Sequence, residues 1–251
     1  MQFPVWCTKC SGPDRNKPYL LDPRHDGIYE MTCDNGHKIT FSLQMCRFEM
    51  LFEIGLHAIL DGYTREAVLS FAACYERFFK FFFRVVSHKM GVPESEAEET
   101  FNQINRSERQ LGAYALAFLF NFKKAPVLPG KIKFQGKKDI LCFRNEVAHE
   151  GRIPTKDEAM AFGQKVFDLV HSVVQQLREN DKEYFFEEMK RELGKPPMAG
   201  FRTMLNCGVK LLPAPSLDVR DYLSELEQTM KVLRRAAAAT RPVEDTTNVP
   251  E

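Results

Sequence analysis

No apolar run in the 251-residue chain approaches the ~20 residues that a bilayer-spanning helix needs. The greasiest stretch, residues 116–122, is closed by Lys123 and Lys124, so no membrane association is expected. An excess of charge of one sign is also missing. The chain has 35 Lys+Arg against 34 Asp+Glu, which excludes a globally basic nucleic-acid coat protein but not a local basic patch. Met1-Gln2-Phe3-Pro4 lacks a basic segment followed by an apolar one, so no secretory leader is expected. There is no Gly-Lys-Ser/Thr phosphate loop, no Gly-x-Gly-x-x-Gly, no His-Glu-x-x-His and no Gly-x-Ser-x-Gly. No internal repeat is apparent. Seven cysteines form an odd, unevenly spaced set, which suits a reducing cytoplasm better than a disulfide framework.

What is present divides the chain. Residues 1–41 hold Pro4, Pro13, Pro18, Pro23, Gly12, Gly27 and Gly36 among short β-prone pieces at 28–32 and 38–41. They read as turns and one small hairpin, too short for a core of its own and in need of a staple. Residues 42–180 read as a helical bundle. One helix over 43–60 carries Phe48, Leu51, Phe52, Leu56 and Ile59 at helical spacing. A second runs from Thr64, as N-cap, to about Met90. Ser95 with Glu98 forms a capping-box pattern that opens a third through about residue 122. A fourth fits 138–150, and Thr155 with Glu158 caps a fifth to about residue 179. Residues 181–239 form a C-terminal helical extension. There Val219, Leu223, Leu226, Met230 and Leu233 alternate steps of four and three; packing on the bundle is favoured over a coiled-coil seam. Residues 240–251 read as a flexible tail. The expected class is mainly α.

The leader contains Cys7-x2-Cys10 followed by Cys33-x3-His37, with Gly36 where a second knuckle turns. Thiolates and one imidazole suit tetrahedral Zn²⁺, and four protein ligands leave no open position, so a structural site is expected. His25 or Cys46 are alternatives to His37 as fourth ligand. The pattern resembles a small zinc ribbon.

A second constellation is Phe143-Arg144-Asn145-Glu146-Val147-Ala148-His149. On a helix, Asn145 and His149 share a face, with Arg144 about 100° aside. Arg offers a fixed charge whose fork matches phosphate oxygens, and His exchanges a proton near neutral pH. The set suits a phosphodiester. The Arg-x4-His spacing alone is weak, but Glu76-x3-Lys80 places a second polar pair amid the Phe-rich second helix. Cys142 is the nearest thiol to His149 in sequence and is expected to face the core.

Arg144-Asn145-x3-His149, with Glu76-x3-Lys80 on an earlier helix, resembles the signature of the HEPN superfamily over about residues 43–180. The resemblance implies a four- to five-helix bundle, commonly a homodimer, in which the motifs of two protomers form one cleft. It also implies a metal-independent endoribonuclease, of a kind found in toxin–antitoxin and antiphage-defence systems, with an antitoxin or defence-system partner. Arg144 would bind the scissile phosphate, His149 would act as general acid/base to give a 2′,3′-cyclic phosphate, and Asn145 would position substrate or His149. Glu76 and Lys80 would orient the cleft or touch RNA. Some family members have lost activity, so the alternative is a non-catalytic dimeric adaptor that binds RNA or protein. Lys123, Lys124, Lys131, Lys133, Lys137 and Lys138 lie in a connection without acids that runs into the Arg144 helix; RNA backbone contact is expected there.

Overall fold

The structure, a computed structural model, describes residues 3–25, 27–42, 45–136, 138–193, 202–203 and 216–238. Its N-terminal part contains two small sheets. Strands β1 (Phe3–Trp6) and β2 (Pro18–Leu21) pair antiparallel, with Phe3 opposite Leu21. Strands β3 (Ile28–Thr32) and β4 (Lys38–Ser42) form the expected hairpin, with Thr32 opposite Lys38. The strand alternation buries Tyr29 and Met31 while Glu30 and Thr32 face outward. The leader does acquire a small apolar centre, contrary to expectation. Val5, Tyr29, Met31 and Ile39 close on one another, and Met50 from the following helix completes the cluster.

Eight α-helices follow among the described residues. Helix α1 (Arg47–Leu60) and helix α2 (Thr64–Lys89) form the first antiparallel pair. Thr64 is the first residue of α2, not its cap, and its hydroxyl donates to the Pro154 carbonyl at 2.7 Å. The single helix expected from residue 95 to 122 is two: α3 (Glu94–Gln103) and α4 (Ser107–Phe122). The Ser95–Glu98 capping box is not made, because the Glu98 carboxylate turns to Lys80 and Arg84 of α2 instead. The break falls where Asn102, Asn105 and Ser107, all poor helix formers, cluster.

Helix α5 (Ile140–His149) begins where Asp139 caps it, its carboxylate accepting from the Cys142 amide at 2.8 Å. Its inward stripe is Ile140, Phe143 and Val147. Cys142 lies off that stripe and is exposed, correcting its assignment to the core. Helix α6 (Lys156–Asn180) opens with the Thr155–Glu158 capping box the sequence indicates. Helix α7 (Lys182–Leu193) turns back after Asp181, which is 3% exposed. That buried carboxylate accepts from Lys89 at 2.5 Å and Asn121 at 2.7 Å, so one acid ties the ends of α2 and α4 to the corner. A two-residue strand β5 (Arg202–Thr203) lies parallel to β4. Helix α8 (Val219–Ala238) buries Val219, Leu223, Leu226 and Met230 against the main core, so its apolar seam packs on the bundle. The tail at 240–251 lies outside the described residues.

Helix α2 is the axis of the bundle. Phe71, Phe78, Phe79, Phe82 and Val85 are buried on it, with Phe79 stacked on Tyr114 of α4 at 4.3 Å between ring centres. Phe71 fits because two neighbours are glycines. A Cβ on Gly55 of α1 would meet the Phe71 ring at 2.5 Å, and one on Gly163 of α6 would meet it at 2.9 Å. The missing methyls let three helices approach one ring.

This packing gives opposite outcomes for one substitution. Gly112 of α4 is exposed and has open space at its Cβ, so Gly112→Ala is expected to stabilise by about 0.5–1 kcal/mol through helix propensity. Gly55→Ala gains the same propensity but overpacks Phe71, and is expected to destabilise by roughly 1–3 kcal/mol. Urea unfolding followed by circular dichroism measures both; a Gly55→Ala protein as stable as the parent contradicts the wedge.

Candidate active site and metal centre

The turn after β1 and the β3–β4 turn bring Cys7, Cys10, Cys33 and His37 together. Their ligand atoms all lie within 4.8 Å of one another. Gly36, at φ +75°, takes the left-handed turn that returns the chain to His37. The Cys33 amide donates to the His37 carbonyl at 3.1 Å, closing the knuckle. Cys10 Sγ is 3.6 Å from Cys33 Sγ, and His37 Nδ1 lies 3.4 Å from Cys10 Sγ and 3.6 Å from Cys7 Sγ. With Zn–S near 2.3 Å and Zn–N near 2.0–2.1 Å, a tetrahedral ion sets its ligand atoms about 3.5–3.8 Å apart. The residues present therefore fit a four-coordinate metal ion. The three cysteines are buried, and Asn35 Nδ2 donates to Cys10 Sγ at 3.4 Å and to Asp14 at 3.1 Å, an outer support of the sort metal thiolates carry.

Burial pushes the Cys10 thiol up to about 11, with the Cys7 side chain adding to the effect. Burial also works to raise Cys33. The backbone of His37 and Asn35 and hydrogen bonding with Cys7 and Cys10 outweigh it and bring that thiol down to about 7. Neither alternative fourth ligand, His25 or Cys46, joins this group of ligand atoms. His25 Nδ1 lies 3.3 Å from the Arg47 guanidinium. Cys46 is buried at the start of α1, where its backbone amide donates to Glu49.

The second constellation is assembled by α2 and α5. Arg144 Nη2 donates to Glu76 Oε1 at 2.9 Å, and Arg144 Nη1 donates to Asn145 Oδ1 at 3.1 Å. Both partners of the Arg144–Glu76 pair are half-buried, and Arg144 Nε is buried without a partner among the described residues. Arg65, in the first turn of α2, reaches the Ala148 carbonyl at 3.5 Å, so the two helices run antiparallel. Arg152 stacks on the Phe143 ring at 4.6 Å and donates to Glu146 at 2.5 Å and Glu158 at 2.6 Å, pinning α5 to the start of α6. Lys138 first, and then Arg152, hold the Glu146 carboxyl below the usual carboxylate range.

His149 ends α5 and is exposed. Five helical residues set it about 140° round the axis from Arg144, so one helix presents the two on different sides. Lys80 does not turn toward α5. Its ammonium donates to Glu98 of α3 at 2.5 Å, and Arg84 donates to the same carboxylate at 3.0 Å. Both pairs hold that carboxyl below its ordinary range, against its burial. Sequence spacing could not show this, because Glu98 is 18 residues from Lys80 and reads locally as a cap.

All five described lysines of the connection are exposed, and two of them have partners. Lys138 donates to Glu146 at 2.6 Å, and Lys124 lies over the Phe122 ring at 5.8 Å. Lys123, Lys131 and Lys133 are exposed. Lys137 lies outside the described residues.

The metal centre has a direct test. One equivalent of metal should copurify with the chain, as measured by elemental analysis. Stripping it, or making Cys10→Ser, is expected to shift the emission of Trp6, the only tryptophan and the neighbour of Cys7, while most of the helical circular dichroism remains. A metal-free protein with unchanged Trp6 emission contradicts the site.

No family model, no curated protein and no solved structure matches this chain. Its chemistry is therefore argued from the residues and their placement.

Proposed function

We propose that the chain is a metal-independent endoribonuclease of the HEPN type, a toxin or antiphage-defence effector that works as a homodimer, with a zinc ion stapling its N-terminal ribbon. The observation that carries this reading is the Arg144–Glu76 pair. The residues are 68 apart in sequence, yet they meet at 2.9 Å and put both halves of the motif on adjacent antiparallel helices. Asn145 holds the same guanidinium from the other side. Glu76 and Asn145 together restrict the fork of Arg144, so its remaining N–H groups keep one orientation for a phosphate oxygen.

In the reaction, Arg144 steadies the charge that develops on the scissile phosphate. His149 accepts the proton of the ribose 2′-hydroxyl as that oxygen attacks phosphorus, or returns a proton to the departing 5′-oxygen. The products are a 2′,3′-cyclic phosphate and a 5′-hydroxyl. Because Arg144 and His149 diverge about one helix axis, a second copy facing the first supplies the opposed pair. Glu76 acts as a positioning residue. Lys80, engaged by Glu98, braces α2 against α3 and has no assigned contact with substrate.

A second reading has one observation in its favour. Arg144 is only 19% exposed and already paired, as it would be in an adaptor that uses the ion pair to join helices and binds RNA or protein without cutting.

The two readings part in one assay. The parent protein is expected to cut single-stranded RNA in EDTA and leave 2′,3′-cyclic ends. Arg144→Ala and His149→Ala are each expected to lower the rate by at least about 10²-fold. Equal cutting by His149→Ala sinks its catalytic assignment, and binding without cutting by the parent favours the adaptor. Glu76→Gln is expected to cut more slowly than the parent but faster than Arg144→Ala, since it loosens the guanidinium without removing it.

A further inference from the structure

A cleft of about 810 Å³ lies between the ribbon and the bundle. Its walls come from the loop after β2, the start of α1, one stripe of α2 and the end of α7. Six cationic side chains line it, Arg24, Arg47, Arg77, Lys80, Arg84 and Arg191, against four carboxylates. The carboxylates are largely spoken for. Glu76 accepts from Arg144. Glu188, 2% exposed, lies 3.5 Å from Arg84 and 3.6 Å from Arg191. Glu192 accepts the Arg47 amide at 3.0 Å through one oxygen, while its other oxygen is buried without a hydrogen-bond partner among the described residues. Glu94 is exposed and 3.9 Å from Arg191.

Arg47 and Arg77 make no ion pair among the described residues, although the Arg47 charge acts on Glu192. Arg47 donates to the His25 backbone oxygen at 3.0 Å, with the His25 ring beside it. Arg77 makes no ion pair there at all. Arg77, Lys80 and Arg84 stand three and four residues apart, a ridge about 10 Å long on one face of α2 in which Lys80 and Arg84 are held by Glu98 and Arg77 is left unpaired. Met45 and Leu51 supply half-buried apolar surface next to it. Guanidinium groups carried on two separate helices, Arg47 on α1 and Arg77 on α2, match successive phosphates of a chain, whereas a single phosphate calls for donors converging on one point. The ridge begins beside Glu76, which both lines the cleft and holds Arg144.

We propose that this cleft is the track on which a single-stranded RNA lies as it approaches Arg144, its phosphates held by Arg77 and Arg47 and its bases against the Met45–Leu51 surface. The inference rests on the endoribonuclease reading above, and it places the strand on the ribbon side of α2 instead of on the lysine connection.

The test measures binding of a labelled 20-nucleotide RNA to the His149→Ala protein over a range of salt. Adding Arg77→Glu is expected to weaken binding at least tenfold and to reduce the salt slope by about one. Arg77→Lys is expected to keep most of the affinity. In the cleaving parent, Arg77→Glu is expected to raise KM more than it lowers kcat. Arg77 has no ion pair to lose, so the thermal midpoint of the variant checks that it is folded, and Arg77→Gln replaces it if the midpoint moves. A parent that cuts RNA while Arg77→Glu and Arg77→Gln bind and cut as before overturns the track and leaves the nuclease standing. A parent that binds through Arg77 but does not cut overturns the nuclease and leaves the track. Failure of the His149→Ala protein to bind RNA, or equally tight binding of a mononucleotide in the cleft, also overturns the track.

Discussion

Helix α2 is buried on nearly every side, and that burial sets the terms for the rest of the molecule. On an aromatic helix wrapped by α1, α3, α4, α5, α6 and α7, most of the charged side chains find a partner on a neighbouring element. Glu76 finds Arg144 on α5. Lys80 and Arg84 share Glu98 on α3, and Arg84 also meets Glu188 on α7. Lys89 meets Asp181 at the α6–α7 corner. Each of these pairs joins α2 to a different element, so the charges on one helix fix where its neighbours sit. The apolar counterpart is Phe71, held between two glycines on opposite helices.

The proposed chemistry follows from that constraint. Arg144 is presented by a short helix that cannot shift easily, because Arg152 bridges its acid to the cap of α6 while stacking on Phe143. The guanidinium proposed to touch substrate is thus fixed from two sides. Its own partners are Glu76 and Asn145, and the helix beneath it is clamped by Glu146, Arg152 and Glu158. His149, the last residue of the same helix, is exposed and has no such clamp, which suits the proton exchange proposed for it.

Much of this was legible in the sequence, and the misses have physical causes. The helices announced themselves through apolar spacing and through Thr155–Glu158, whose cap is local. The four metal-ligand positions were legible because knuckles are also local, with Gly36 marking the turn. The pairing of Glu76 with Arg144 was not legible, because the two residues are 68 apart in sequence and the resemblance implied only that Glu76 orients the cleft or touches RNA. Ser95–Glu98 misled because a capping box and a cross-helix ion pair use the same acid, and only tertiary structure decides between them. Cys142 misled because its apolar neighbours suggested burial, while the Asp139 cap sets a phase that turns it outward. The cleft was invisible, since its cations come from segments more than a hundred residues apart.

Helix α1 has two allegiances. Phe48, Phe52 and Leu56 belong to the bundle core, while Met50 closes the apolar centre of the ribbon, with Ile54 packed against it. One rigid rod thus forms part of both interiors. The metal knuckles are therefore not a bead on a string. Met50 packs in the apolar cluster around the four ligands and, with Arg47, also lines the cleft, so the ligand cluster and the cleft share one helix.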